Sequence, residues 1–103
     1  MAVNHEKLKD FFLKDAFIIS THARIRMFQR NISTQEIENV IANGEMIEEY
    51  SNDEPCPSAL FLGFSKGIPC HIVVAQCNDH ARIITVYQPE KDKWIEYKIR
   101  RDT

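Results

Sequence analysis

The spacing of apolar residues changes once along the chain, at Gly44. Before Gly44, apolar side chains recur every three or four residues, as in amphipathic helices. After it they come in short runs separated by turn residues, as in β-strands. A chain of 103 residues is about the size of one domain. We therefore expect a single α+β domain over residues 1–103, with a helical part at about residues 4–44 and a β-meander at about residues 45–101.

Three helices are predicted before Gly44. Their expected bounds are residues 5–14, 20–29 and 33–44. The third has the clearest start, because Ser33 and Glu36 match a capping box. Asn4 is the candidate N-cap of the first helix, and Ser20 or Thr21 is the candidate for the second.

The residues after Gly44 predict an antiparallel sheet. Cys70–Gln76 is apolar at both odd and even positions over most of its length, which favours a central strand covered on both faces. The other predicted runs are Met46–Tyr50, Ala59–Phe64 and Arg82–Tyr87, with Phe17–Ile19 as an apolar link or short strand. Short turns join these runs, so we expect a curled antiparallel sheet of about four strands with the helices packed on one side. The tail Trp94–Arg101 fits either a final strand or a helical turn.

The second helix carries a polar face with functional potential. His22, Arg26 and Arg30 follow one another at intervals of four residues and share that face. On the opposite side, Ala23 and Met27 are expected to face the core. Ile25 and Phe28 are further candidates for the core.

Charge is unevenly distributed, although the formal total is only −2. The segment Asn31–Glu54 contains acidic residues but no Lys or Arg, whereas the second helix carries Arg24, Arg26 and Arg30. A local positive surface can therefore exist, because a phosphate senses charge within a Debye length of about 8 Å. The alternative is that the basic and acidic helix faces are solvated and pair with each other.

The three cysteines, Cys56, Cys70 and Cys77, leave at least one thiol unpaired. They lack the paired spacing of zinc ligands, so we predict no metal site and interpret Cys70 and Cys77 as small buried apolar residues. The start of the sequence lacks a secretory apolar region, which fits a reducing, cytoplasmic setting. Apolar runs are too short for a membrane span. The sequence has no glycine-rich phosphate loop, so we predict no cofactor.

The remaining polar residues suggest RNA cleavage without a metal. That reaction needs a group to accept the proton of the 2′-hydroxyl, a group to protonate the leaving oxygen, and cations to balance the charge of the phosphorane. The candidates are His22, Arg26, Arg30, His71, Tyr87, Arg100 and Arg101. The alternative for the strand residues is structural, with His71 as a satisfied core histidine and Tyr87 as a packed aromatic.

An ordered series of short motifs resembles a known bacterial family. The series comprises Thr21-His22-Ala23, Arg26-Met27, Arg30, Ile32-Ser33, Asn43-Gly44-Glu45, Tyr50, Gly67 to Val74, Ile84 to Pro89, and Trp94. It is similar to the family described as domain of unknown function 4258, over about Ser20–Arg101. That family resembles the RelE-like toxins, in which N-terminal helices pack on an antiparallel sheet, and its members often lie beside a zinc-finger antitoxin. The resemblance implies a toxin of a toxin-antitoxin system that cleaves RNA without metal, with the ribosome as one expected setting.

Five of the candidates match motifs of the family: His22, Arg26 and Arg30 on the helix, His71 on the central strand and Tyr87 on the following strand. In the ribonuclease hypothesis, Arg26 and Arg30 would bind the scissile phosphate, and Arg100 and Arg101 at the basic tail would be further RNA contacts. His22 or His71 would act as acid or base, and Tyr87 would position or stack a base. The expected partners are RNA or the ribosome, and a cognate antitoxin that carries a zinc finger in some members.

A second hypothesis comes from a different class of function. The same fold would serve as a non-catalytic binding module, in which the basic helix docks an acidic partner or the acidic segment of a second copy. Self-complementary charge of this kind favours a homodimer.

Overall fold

The structure is a computed structural model that describes residues 2–101. Its helices are α1 (His5–Leu13), α2 (Thr21–Arg30) and α3 (Thr34–Asn43). Its strands are β1 (Phe17–Ile19), β2 (Glu45–Tyr50), β3 (Ser58–Ser65), β4 (Ile68–Gln76), β5 (Ala81–Tyr87), β6 (Trp94–Ile95) and β7 (Ile99–Arg100). The α+β class predicted from the sequence is confirmed.

The helix starts follow the capping residues in the sequence. The side chain of Asn4 caps α1 and that of Ser20 caps α2, each by accepting a backbone N–H from the first turn. Ser33 and Glu36 form the predicted capping box at the start of α3. Gly44 follows α3 where a side chain cannot fit, because a Cβ there would overlap neighbouring backbone carbonyl oxygens. These predictions are confirmed.

The main sheet has five strands in the order β1-β5-β4-β3-β2, and it is mixed. β1 lies parallel to β5, with Phe17 opposite Ala81, while the other pairs are antiparallel. The predicted antiparallel meander of four strands is present as β2 to β5, but β1 adds a fifth, parallel strand, and the sheet is not strongly curled as had been expected. The difference comes from the apolar link after α1, which adds to the edge of β5 and buries Ile19.

The hydrophobic core lies between the helices and one face of this sheet. Central strand β4 contributes Cys70, Ile72 and Val74 to it, and its alternate residue His71 is buried on the opposite face. The prediction that this strand is central and covered on both faces is confirmed.

Helix α2 contacts the core through a narrow stripe. Ala23 and Met27 are buried as predicted, but Ile25 and Phe28 are 52% and 89% exposed. Their assignment to the core was wrong. The reason is helical geometry, because two residues add about 200° of rotation and so place Ile25 opposite Ala23.

The C-terminal tail forms a two-stranded hairpin, β6–β7, which answers the question left open by the sequence. Trp94 of the hairpin is 5% exposed and lies against His71 on the face away from the helices. Two ion pairs with β2 fasten the hairpin, Lys98 to Glu45 at 3.0 Å and Arg100 to Glu48 at 2.9 Å.

Cys56 and Cys77 form a disulfide that ties the loop between β2 and β3 to the turn after β4. Cys77 is therefore a bridge residue, and its interpretation as a small apolar residue was wrong. Cys70 is free and buried, as predicted. The bridge forms because the β3–β4 pairing continues past Ser58 and Ala75, where Pro57 accepts a backbone hydrogen bond from Gln76, and so brings Cys56 beside Cys77.

No three His, Cys, Asp or Glu side chains within residues 2–101 are grouped so that they could hold a metal ion. In the same part of the chain, no helix has both the length and the apolar character needed to cross a membrane.

Candidate functional site

His71 lies on β4 with its side chain fully buried. Its Nε2 is 2.6 Å from the carbonyl oxygen of Tyr97, which can only accept, so Nε2 carries the proton of the neutral ring. Nδ1 is then a free acceptor, and the hydroxyl of Tyr87 donates to it at 3.1 Å. Both ring nitrogens are satisfied, and the hydrogen bonds fix one tautomer.

Aromatic rings enclose this pair. The ring of His71 meets that of Trp94 edge-on at 4.5 Å between centroids and that of Tyr87 at 5.1 Å. The guanidinium of Arg100 lies 4.6 Å above the Trp94 ring. The hairpin and the sheet thus fix the orientation of the imidazole through packing as well as hydrogen bonds.

Glu48, Arg100 and Tyr50 form a charged hydrogen-bond network next to the aromatic cluster. Glu48 accepts two hydrogen bonds from Arg100, at 2.9 and 3.2 Å, and another from the hydroxyl of Tyr50. Burial alone would raise the pKa of Glu48, but these donors lower it below its ordinary value. Burial and the neighbouring carboxylate raise the pKa of Tyr50 to about 12. Glu48 is therefore ionised and Tyr50 neutral at neutral pH.

Burial also sets the protonation of the central pair. It lowers the pKa of His71, although the Tyr97 carbonyl and Glu48 act in the opposite direction. It raises the pKa of Tyr87. At neutral pH the pair consists of a neutral imidazole, whose Nδ1 lone pair accepts the Tyr87 hydroxyl hydrogen, and a neutral phenol.

A groove of two adjoining cavities runs past Tyr87. The first has a volume of about 270 Å³ and is lined by Arg30, Asn31, Ile32, Ser65, Lys66, Ile68, Pro69, Cys70, Tyr87 and Gln88. The second has a volume of about 460 Å³ and is lined by Arg30, Pro69, Gln88, Pro89, Glu90, Lys91 and Tyr97. Arg30, Pro69 and Gln88 line both cavities, so the two adjoin at these residues.

The groove carries more positive than negative charge. Arg30 and Lys91 make no ion pair with any residue in 2–101, and Lys66 is 3.8 Å from Glu36. The one acidic residue that lines it, Glu90, is paired with Lys93 at 3.5 Å. An anionic ligand is therefore favoured over a cationic one.

The structure brings three of the sequence candidates together. Arg30 and Tyr87 line the groove, and His71 lies directly behind Tyr87. Arg100 is nearby but points to Glu48 and Trp94, while Nε of Arg101 donates to the backbone of Lys91 at 3.1 Å. Arg101 thus holds the groove wall at Lys91, whereas Arg100 fastens the hairpin to β2.

His22 and Arg26 lie apart from this cluster. His22 lines a different cavity of about 440 Å³, which also involves Asp53 and Arg82. Arg26 is half-buried and lines neither cavity of the groove. The residues share a helix face with Arg30, but eight residues of helix separate His22 from Arg30 by about 12 Å along the axis. One phosphate cannot contact both.

Several groove residues were missed in the sequence. Lys66 lies in the turn between β3 and β4 and Lys91 in a turn before β6, and Gln88 directly follows Tyr87; none of the three was among the predicted site residues. Tyr97 acts on His71 through its backbone carbonyl, for which side-chain chemistry offers no signal. The basic turns were the only available clue.

Residues 19–88, which are more than half of the chain, match the family model described as Domain of unknown function (DUF4258). The chain belongs to this family. The DUF4258 match includes α2, α3 and β2 to β5, and so contains Arg30, His71 and Tyr87. It ends before the hairpin, so the residues that enclose His71, namely Trp94 and Tyr97, lie outside the match. The search of curated proteins finds no match, and no solved structure matches the chain.

Proposed function

We propose that this protein is a small toxin-like ribonuclease that cleaves RNA without a metal, in the groove beside Tyr87. One observation carries the proposal: a tyrosine in a positively charged groove donates its hydroxyl hydrogen to a buried histidine of fixed tautomer. The phenol oxygen keeps lone pairs with which it can accept a proton from a bound hydroxyl. In the proposed reaction, this pair takes a proton from a ligand in the groove that Tyr87 lines.

The proposed reaction uses the 2′-hydroxyl of RNA as its nucleophile. The 2′-oxygen forms a bond to the adjacent phosphorus, and the bond from phosphorus to the 5′-oxygen breaks. The 2′-hydroxyl proton passes to Tyr87 as the Tyr87 proton passes to Nδ1 of His71, and the leaving oxygen takes a proton from solvent in the open groove. Arg30 and Lys91 balance the charge of the phosphorane. The products are a 2′,3′-cyclic phosphate and a 5′-hydroxyl.

The resemblance to RelE-like toxins supports the biological setting. The cleaved RNA would be messenger RNA, free or on the ribosome, and the partner that restrains the toxin would be a cognate antitoxin. The exposed apolar residues of α2, Ile25 and Phe28, support a protein partner, and Arg24 beside them favours one with acidic side chains.

The test is cleavage of messenger RNA by the purified protein, with and without ribosomes. The proposal expects cyclic phosphate ends, and it expects Tyr87→Phe and Arg30→Ala to reduce cleavage strongly. His22→Ala and Arg24→Ala are controls on the same helix as Arg30 but outside the groove, and they should leave the rate unchanged. Equal rates for wild type and Tyr87→Phe, or no cleavage in either setting, would overturn the proposal.

A non-catalytic binding function is the second candidate, and the exposure of Phe28 favours it. In that case α2 docks the acidic segment of a second copy, and light scattering should show a dimer that weakens with salt. Arg24→Glu together with Phe28→Asp should give a monomer. A dimer insensitive to salt and to these changes would rule out docking through this face.

A further inference from the structure

The first cavity of the groove is lined by both apolar and polar residues. Ile32, Ile68 and Pro69 line it together with Tyr87, and Cys70 is buried beside them. Burial is the main cause that raises the pKa of the Cys70 thiol to about 11, so this residue is uncharged at neutral pH. The remaining lining residues are cationic or polar: Arg30, Asn31, Ser65, Lys66 and Gln88. Such a cavity suits a flat, apolar-faced group that is attached to an anion.

Arg30 stands at the junction of the two cavities, since it lines both. Its guanidinium can contact two phosphate oxygens at once. A phosphate at this junction would leave the attached base facing the first cavity. The rest of the strand would continue along the second cavity, past Lys91 and Tyr97.

We infer that the cavity of about 270 Å³ beside Tyr87 is a binding pocket for one unpaired nucleobase, with the adjoining phosphate held by Arg30. The inference rests on the proposed function and names its substrate class as single-stranded RNA. A paired base inside a duplex cannot enter a cavity without leaving its stack. The volume is sufficient for one base, so neighbouring bases remain outside.

Gln88 supplies a polar contact of defined direction. The Nη1 of Arg30 donates to Oε1 of Gln88 at 3.4 Å, which assigns the amide oxygen to the arginine. The amide N–H groups of Gln88 are left to donate to another acceptor. A base edge with acceptor atoms toward Gln88 would satisfy them.

The test compares ligands that share a phosphate but differ in having a base. Binding of adenosine, guanosine, cytidine and uridine 5′-monophosphates is measured by NMR titration against ribose 5-phosphate. Stacking in the pocket should make at least one nucleotide bind about tenfold more tightly than ribose 5-phosphate. A single-stranded 2′-O-methyl octanucleotide, which lacks the attacking hydroxyl, should bind more tightly than its duplex.

Two isoleucines provide a matched pair of variants. Ile68 lines the pocket and Ile18 lies on the distant edge strand β1, and each is 51% exposed, so both tolerate a change of side chain. Ile68→Glu should abolish the preference for a nucleotide over ribose 5-phosphate, whereas Ile18→Glu should retain it. The measured quantity is the ratio of nucleotide affinity to ribose 5-phosphate affinity, because the added carboxylate repels the phosphate of both ligands alike.

Equal affinity for nucleotides and ribose 5-phosphate in the wild type would overturn the inference, as would no binding of either. So would a preference that survives Ile68→Glu. The ribonuclease proposal would still stand if messenger RNA is cleaved in that case. Selective nucleotide binding without any cleavage would refute the ribonuclease proposal and leave the nucleobase pocket in place.

Discussion

The hydroxyl of Tyr87 donates a hydrogen bond to Nδ1 of His71 at 3.1 Å, across a register pair of β5 and β4. The opposite nitrogen of the ring donates to the backbone of Tyr97 in the C-terminal tail. Sheet pairing sets the first contact, and docking of the hairpin sets the second. The direction of the hydrogen bonds from Tyr87 through His71 to Tyr97 therefore depends on the C-terminal tail, which is far from His71 in sequence.

Tyr87→Phe should separate the chemical role of the hydroxyl from its contribution to stability. Loss of a proton-transfer group should lower cleavage by about 100-fold or more. Loss of one neutral hydrogen bond should lower the free energy of unfolding by about 1 kcal/mol. Cleavage assays and urea unfolding measure the two effects. Tyr50→Phe is the control, because Tyr50 contacts Glu48 outside the groove, and unchanged cleavage is expected.

Stability should decrease at mildly acidic pH because of His71. Burial lowers its pKa in the folded protein below the ordinary 6.5. Between that lowered pKa and 6.5, the unfolded chain binds more protons at this histidine than the folded chain does. The contribution of His71 to the free energy of unfolding is therefore complete above about pH 6.5 and is lost as the pH falls. Thermal unfolding of wild type and His71→Gln at pH 7.5 to 5 measures it, and the variant should show a flatter dependence.

His22→Gln is the matched control for that experiment, because His22 is exposed. Its dependence on pH should follow that of the wild type. Parallel curves for wild type and His71→Gln would contradict the assignment of the acid sensitivity to the buried ring.

The ion pair of Glu48 and Arg100 should couple the hairpin to β2. It is partly exposed, with Arg100 62% accessible, so solvent screens it. Its two hydrogen bonds and the contact of Arg100 with Trp94 place the expected coupling at about 1 kcal/mol, near the upper end for surface pairs. A double-mutant cycle with Glu48→Gln and Arg100→Gln in urea unfolding measures it. A coupling indistinguishable from zero would show that this ion pair does not hold the hairpin, which would then rest on Trp94 packing, the Lys98–Glu45 pair and the Tyr97 contact with His71.

The disulfide between Cys56 and Cys77 should stabilise the loop that it closes. The residues are 21 apart in sequence, and a loop of that size corresponds to about 3 kcal/mol of unfolding free energy. The Cys56→Ser, Cys77→Ser double variant should lose that amount in chemical denaturation. Thiol titration of the oxidised protein should detect one free thiol, Cys70, after unfolding and almost none before. Three reactive thiols in the untreated unfolded protein would contradict the bridge.

Arg30 should contribute one phosphate contact to RNA binding. Arg30→Ala should weaken the binding of a single-stranded 2′-O-methyl oligonucleotide and reduce the slope of log affinity against log salt by about 0.7. Arg24→Ala removes the same charge from the exposed side of α2 and should leave the slope nearly unchanged. Equal slopes for the two variants would show that the protein senses net charge rather than a contact at the groove.

Local sequence signals accounted for much of the fold. The capping box of Ser33 and Glu36 and the cap at Asn4 fixed helix starts, because each involves atoms within one helical turn. The apolar run at Cys70–Gln76 indicated a central strand, because burial on both faces selects apolar residues at consecutive positions. The pairing of β1 with β5 could not be predicted from such a pattern, since β1 has only three residues and adds at an edge of the sheet.

The features of the candidate site likewise fall into those predictable from local sequence and those set by the tertiary structure. The sequence by itself determined the residue types, the basic helix end at Arg30 and a histidine and tyrosine on neighbouring strands. Only the tertiary structure decided that His71 and Tyr87 meet, that His22 lies elsewhere, and that the tail covers the histidine. The physical reason is separation along the chain. The contact of His71 with Tyr97 joins residues 26 apart, and that of Arg30 with Gln88 joins residues 58 apart. Sheet pairing and packing set such distances, whereas local periodicity sets only which way each side chain faces.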